Sequence, residues 1–367
     1  MIKLLYITNG ISGSGGLERV LSVKCSLLAE DYRYEVTILT LNEPNPRPFY
    51  PISGKVHFFN LPFSGNKEVI SGAYFRRLGE VVNRLKPDVI SVCDDGLKGF
   101  LIPRLIKPSV PIIYERHASV NLNTNKWFGG LLRTVMRALG KSFDRFVVLT
   151  PSNIPEWGMA NVIAIPNPLP FSPKRLSTQE NKKVVAVGSL NYNKGYDLLL
   201  RAWSIVERNN PDWSLDIYGK DNAGGEYQKL SETLFLSSVR FHEPIASIQE
   251  AYSDASIHVL PSRSEGFGMV IIEAMSCGLP SVSFDCPSGP RDIITDGRDG
   301  FLVEAENYSL LADKLSGLMN DPEKRILMGQ EALKKAALYA PSRIVSLWDI
   351  LFQNLIAGNS KNQIHAD

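Results

Sequence analysis

Residues 261–280, PSRSEGFGMVIIEAMSCGLP, decide the fold. They follow an apolar run, 256–260, and cross a turn at Glu265-Gly266-Phe267-Gly268. They then enter an apolar-periodic segment, 269–276, that stops at Cys277-Gly278-Leu279-Pro280. Gly just past a helix, with Pro shortly after, is a stop signal. The pattern predicts strand, loop and helix, with the loop at the carboxyl end of the strand. Open α/β sheets bind ligands there, because a helix N-terminus presents unpaired N–H groups and a partial positive charge. Glu265 lies just before this helix and Glu273 eight residues later, in its second turn. A carboxylate at such a mouth accepts hydrogen bonds from hydroxyls, so two of them facing the crevice suggest a polyhydroxylated ligand. Taken alone, a helix cap and a solvated surface glutamate are the commoner explanation of such a pair. The residues around it reverse that.

The run EGFGMVIIEAMSCGLPSVSFDCPSGP, 265–290, resembles the signature of the retaining glycosyltransferases of family 4, and the resemblance extends more weakly over nearly the whole chain. It implies an α/β chain of GT-B fold: two doubly wound parallel-sheet, Rossmann-like domains facing across a cleft, with the last helix returning to the first domain. The expected boundaries are 1–170 for an acceptor-side domain, 171–341 for a nucleotide-sugar domain and 342–358 for the returning helix. The resemblance gives Glu265 the hydroxyls of the donor sugar and Glu273 the ribose, with Gly266, Phe267 and Gly268 at the donor.

Composition agrees with two domains. A chain of 367 residues exceeds one typical domain. Its 44% hydrophobic content is that of a globular protein with full cores. A formal charge of +2 carries no nucleic-acid signature. Cys25, Cys93, Cys277 and Cys286 form no C-x-x-C pair, which argues against a metal or disulfide framework and for a reducing cytoplasm. The opening MIKLLYITNG is too short an apolar run for a signal peptide, and no stretch approaches 18 uninterrupted apolar residues.

Along the chain, strands and helices alternate as a doubly wound sheet requires. The first strand, 4–8, leads into Asn9-Gly10-Ile11-Ser12-Gly13-Ser14-Gly15-Gly16 and a helix from Leu17. A Gly-rich loop between a first strand and first helix suits phosphate. It is not the dinucleotide fingerprint, because the sixth position from Gly13 is Glu18 rather than Gly, and that opposes a nicotinamide dehydrogenase. GGLERV resembles the "GG-ERV" of family 4, which brings Gly15 and Gly16 to the donor diphosphate and the acceptor. His117 closes YERH at a strand's carboxyl end and is similar to the histidine that the family places beside the donor sugar. Arg116 beside it reads equally as a phosphate neighbour and a surface residue. A polar run, 172–183, reads as the linker.

Two further segments bear on function. The helix 127–141 carries Lys126, Arg133, Arg137 and Lys141 at helical spacing beside a broad apolar surface, and Tyr74-Phe75-Arg76-Arg77 adds to it. Such a helix lies on an anionic membrane or packs on the sheet with its charges solvated. In the second half, Gly188-Ser189-Leu190-Asn191-Tyr192-Asn193-Lys194-Gly195 resembles the family's "GRL…KG". Lys194 at a helix N-terminus would hold a diphosphate with the free N–H groups. The usual Arg is Ser189 here, which leaves Arg263 to supply the second cation. No Asp-x-Asp pair offers a metal site, and Asp94-Asp95 is a poor substitute.

The implied function is retaining, metal-independent transfer of a hexose or N-acetylhexosamine, most simply from a UDP-sugar. The acceptor would be a glycan or polyprenyl-diphosphate-linked glycan of a surface polysaccharide, at the cytoplasmic face of the inner membrane. His117, Glu265 and Lys194 would carry it, with the nucleobase near residues 242–245. No cofactor is expected. The alternatives are a GT-B epimerase or hydrolase of sugar nucleotides and a non-catalytic scaffold.

Overall fold

Leu4 and Tyr6 face one side of the first strand, Leu5 and Ile7 the other, and none exceeds 1% exposure. A strand apolar on both faces belongs inside a parallel sheet covered by helices on both sides. The computed structural model, which describes residues 1–62, 72–94, 96–117, 129–245 and 247–358, has that arrangement twice.

In the first unit the strands are β1 (Lys3–Thr8), β2 (Glu35–Leu41), β3 (His57–Leu61), β4 (Val89–Cys93), β5 (Ile112–Glu115), β6 (Arg145–Val148) and β7 (Val162–Ala164). They form a parallel sheet in the order β3-β2-β1-β4-β5-β6-β7. The helices are α1 (Gly16–Glu30), α2 (Gly72–Leu85), α3 (Leu97–Ile106), α4 (Gly129–Gly140) and α5 (Asn153–Trp157). Side chains of α2 to α5 fill one face, including Tyr74, Phe75, Phe100, Met136 and Trp157.

The second unit, Leu169–Ala340, has strands β8 (Lys183–Val187), β9 (Ser214–Tyr218), β10 (Val239–His242), β11 (Ile257–Leu260), β12 (Ser281–Phe284) and β13 (Gly300–Val303). They are parallel, in the order β10-β9-β8-β11-β12-β13. Its helices are α6 (Tyr196–Asn209), α7 (Glu226–Thr233), α8 (Ile248–Ser253), α9 (Met269–Ser276), α10 (Pro290–Ile293), α11 (Tyr308–Asn320) and α12 (Pro322–Ala336). Helix α13 (Pro341–Ile356) belongs to the first unit, whose other face it covers with α1 through Ile344, Trp348, Leu351 and Phe352. The Tyr34 hydroxyl donates to Asp349 at 2.7 Å.

In each sheet the chain winds one way, then returns to the middle and winds the other. The switch points are β1/β4 and β8/β11, and ligands of doubly wound folds collect outside the carboxyl ends of such strand pairs.

Some expectations change. The run 172–183 is no free linker but is fastened to the second unit: Ser177 N–H donates to the Cys277 carbonyl at 2.9 Å and Gln179 Nε2 to the Gly278 carbonyl at 2.6 Å. Helix α7 stops at Thr233, because Phe235 takes φ 55°, which a right-handed helix does not allow. The start of the expected helix 127–141 lies outside the described residues.

His258 of β11 is fully buried, with Nδ1 3.0 Å from Ser281 Oγ and Nε2 unpaired. Burial pushes its pKa down to about 3. Between about pH 6.5 and 3 the unfolded chain therefore binds a proton that the folded chain refuses, so stability falls as pH drops through that window. Denaturant midpoints measured from pH 7 to 4.5 will decline in the wild type and decline less in His258→Gln. Equal slopes would refute this origin.

Candidate active site

The second unit's switch point brings together two loops. The loop after β8 makes a 3-10 turn, Tyr192–Lys194, then Gly195 at φ 66°, then α6. Asn191 caps the turn, its Oδ1 accepting from Lys194 N–H at 3.1 Å. The loop after β11 runs from Pro261 to Gly268, the left-handed N-cap of α9. Asn193 Nδ2 donates to the Ser264 carbonyl at 2.8 Å and Arg263 N–H to the Asn193 carbonyl at 2.8 Å, which stitch the two loops together. Gly195 permits the closest approach, since a Cβ there would be driven into the carbonyl oxygen of Pro261. The result is Lys194 Nζ 2.7 Å from Glu265 Oε1, with the two side chains 23% and 10% exposed. The Lys194 stem lies along Gly188, where a Cβ would stand 3.4 Å from Lys194 Cε.

Glu273 is 0% exposed, and Tyr252 Oη donates to it at 3.2 Å. Helix α9 is enclosed almost throughout, Ile271 to Ser276 all being buried. Phe267 is buried edge-on against Tyr339, at 5.8 Å between centroids. Ser189 is half-buried beside Gly188, and Gly266 follows Glu265 in the loop. Arg263 is no spare cation. Its guanidinium grips Asp197 through two bonds of 2.8 and 2.7 Å, donates to the Tyr192 carbonyl at 2.7 Å and lies 4.0 Å from the Tyr192 ring. It therefore secures the Lys194 turn. Asp197 was not legible beforehand. At the ends of β9 and β10, Tyr218 and His242 stack at 4.4 Å, and His242 Nε2 lies 3.1 Å from Asp216.

In the first unit, Gly15 is the extended N-cap of α1 and Gly16 its first residue. The mouth of this helix already holds a carboxylate of the chain: a Cβ at Gly15 would lie 2.6 Å from Glu18 Oε2. Asp94 is engaged locally, accepting from Asn9 Nδ2 at 3.1 Å and Gly96 N–H at 2.9 Å, with Lys98 at 3.2 Å. Asp95 lies outside the described residues.

His117 follows β5 and has a network that its sequence position did not announce. Its Nε2 lies 3.1 Å from Glu115 Oε2. Lys24 Nζ reaches the same oxygen at 2.5 Å, and Ser91 Oγ donates to Oε1 at 2.5 Å. Burial works to raise the Glu115 carboxyl, but Lys24 and His117 outweigh it and hold it at about 2. One signal was available: Lys24 sits in the apolar stripe Val20, Leu21, Cys25, Leu28 of α1, where an unpaired charge cannot stay. Arg116 is buried, 6.0 Å from the Trp157 ring, and is not a surface residue. Cys93 Sγ, Glu115 and His117 lie within 4.8 Å of one another, a donor set of metal-binding type. The ammonium of Lys24 already occupies the carboxylate, so the trio does not fit a cation.

Helix α4 spends two of its cations internally, as Arg133 and Arg137 both donate to the Glu156 carbonyl, the first at 2.7 Å. Leu131 and Val135 remain 65% and 42% exposed. Tyr74 and Phe75 are core residues, not a second membrane-facing patch. Lys126, Trp127 and Phe128 lie outside the described residues. Among the described residues no helix is long and apolar enough to cross a membrane.

Comparison with known proteins identifies the family. The family described as "Glycosyltransferase Family 4" matches residues 14–154, and "Glycosyl transferases group 1" matches 170–335. An uncharacterized glycosyltransferase of Haemophilus influenzae is 30% identical over 95% of this chain and 99% of its own. The amylovoran biosynthesis glycosyltransferase AmsD of Erwinia amylovora is 29% identical over 96% of this chain and 100% of its own. A TarM variant of S. aureus, solved with Fondaparinux, alpha-GlcNAc-glycerol and UDP, superposes with a TM-score of 0.79 at 16% identity, covering 96% of this chain and 100% of that one. The chain has the GT-B fold and belongs to glycosyltransferase family 4.

Proposed function

We propose that this glycosyltransferase moves a hexose or N-acetylhexosamine from a UDP-sugar, with retention and without a metal, to a glycan or polyprenyl-diphosphate-linked glycan in polysaccharide biosynthesis. The observation that carries the reading is the Lys194–Glu265 pair, 2.7 Å apart outside β8 and β11. As the anomeric carbon–oxygen bond to the diphosphate breaks, negative charge grows on the phosphate and positive charge on the sugar. A fixed cation beside a fixed carboxylate meets both. Lys194 takes the leaving diphosphate, assisted by the N–H groups around Gly266, Phe267 and Gly268. Glu265 holds the sugar hydroxyls. The acceptor hydroxyl attacks from the same face and gives its proton to the departing phosphate oxygen. No glycosidase-type pair of carboxylates is then required.

The remaining roles rest on the resemblance alone: Glu273 for the ribose, Gly15 and Gly16 for the diphosphate and acceptor, His117 for the donor sugar, and Gly188 and Ser189 for the donor. Arg263 contributes by holding the Lys194 turn. UDP is favoured because TarM was solved with it. Polysaccharide biosynthesis is favoured by AmsD. The exposed Leu131 and Val135, with Lys141 just past the end of their helix, suit contact with an anionic membrane at the cytoplasmic face.

The test is transfer from a panel of UDP-sugars to polyprenyl-diphosphate-linked glycans, with EDTA present, followed by NMR of the new anomeric linkage. The expected product keeps the donor's α or β configuration. An inverted product, or no transfer until a divalent metal is restored, would overturn the reading. UDP release at full rate without acceptor would put a hydrolase in its place.

A further inference from the structure

The buried network around His117 does something more specific than fill space. We infer that Glu115, held and neutralised by Lys24, is the positioning residue for His117: it fixes the ring with hydrogen on Nε2 and leaves Nδ1 bare. The inference rests on the proposed placement of His117 at the donor sugar.

The geometry comes first. Glu115 is 1% exposed and its carboxylate is reached by three donors: Ser91 Oγ on Oε1, and Lys24 Nζ and His117 Nε2 on Oε2. An ionised carboxylate only accepts, so the ring nitrogen facing it carries hydrogen. The Glu115 carboxyl remains ionised, since it is held at about 2. Nδ1 has no hydrogen-bond partner among the described residues, and the ring is 8% exposed. In this tautomer Nδ1 offers a lone pair, which accepts from a sugar hydroxyl.

Charge explains why Lys24 belongs to the device. A lone buried carboxylate against the imidazole would favour the imidazolium, which has no lone pair left. The Lys24 ammonium, 0% exposed, cancels that charge from the other side. It is seated between two rings, 3.9 Å from that of Trp348 on α13 and 4.9 Å from that of Tyr6 on β1. The thiol and the phenol near the carboxylate are neutral. The Cys93 thiol on β4 and the Tyr6 phenol are each raised well above their ordinary ranges, by burial first and the Glu115 charge second. Asp94, at the end of β4, is paired with Lys98, and Arg116 is buried next to the ring in sequence. Lys24 and Glu115 thus compensate each other. Through Trp348, α13 takes part in seating the Lys24 ammonium.

The test is a long-range proton–nitrogen NMR spectrum of the full-length protein with 15N-labelled histidine near pH 7.5. The chain has five histidines, and the His117 signal is assigned by its loss in His117→Asn. The expected pattern is one tautomer, Nε2–H with a bare Nδ1. In the double variant Lys24→Met/Glu115→Leu, where removing both charges together avoids a stranded ion, both tautomers should appear. A wild-type ring with Nδ1–H, a doubly protonated ring, or an unchanged single tautomer in the double variant would each overturn the inference. The spectrum needs no donor, so it judges Glu115 independently of the transfer reading. That reading fails separately if His117→Ala turns over donor at the wild-type rate.

Discussion

Lys194→Ala and Glu265→Gln each lower glycosyl transfer by at least about a hundredfold, the scale of losing one preorganised electrostatic partner. Neither of the two neighbouring candidates for a second cation replaces Lys194. Ser189 is neutral where the family has Arg, and Arg263 is committed to Asp197 and the Tyr192 carbonyl. The Glu265 substitution keeps size and shape while removing the charge that anchors Lys194 and accepts from sugar hydroxyls. The pair is only partly shielded, with Lys194 23% exposed, so its loss changes stability by no more than about 1 kcal/mol. Activity and stability should therefore separate. Initial rates fall while melting temperatures stay near that of the wild type. Normal rates in both variants would remove the site from β8/β11.

Gly195→Ala is the second large effect. At φ 66° an alanine is strained, at about 1–2 kcal/mol. Its methyl group would also meet the carbonyl oxygen of Pro261. The loops must part, and the expected loss of stability is about 2–4 kcal/mol. Parting them moves Lys194 away from Glu265, and a displacement near 1 Å costs about a hundredfold in rate. Gly224→Ala supplies the control. Gly224 has φ 62° with nothing within 4 Å of a Cβ, so the same backbone strain appears without loop separation. Denaturant unfolding and initial rates on both variants decide it. Equal behaviour of the two would mean that the contact with Pro261 is unimportant.

The architecture was legible because its signals are local. The apolar strands, the Gly-Pro stop after α9 and the repeated βα alternation each lie within a few residues, and two parallel sheets follow from them. Helix ends were less legible, since Phe235 ends α7 with a backbone angle that its identity does not announce. The resemblance singled out Glu265 through EGFG and Lys194 through residues 188–195, yet it could not show that Arg263 is tied to Asp197, a pairing 66 residues apart. Nor could it show that Glu273 is enclosed. The least legible feature is the Lys24–Glu115–His117 network. Its members come from α1 and the end of β5, 91 residues apart, and only the fold brings them together. The lysine in an apolar helix stripe was its single trace in the sequence.

The central claim is that the paired loops at β8/β11 bind a nucleoside diphosphate through Lys194. Calorimetric titration of the wild type and Lys194→Ala with UDP, GDP, ADP and CDP, without added metal, tests it most directly. The account predicts that the wild type binds UDP and that Lys194→Ala binds it at least about tenfold more weakly, the worth of one charge-assisted bond. Failure of the wild type to bind any of the four, or equal affinity in the variant, would contradict it.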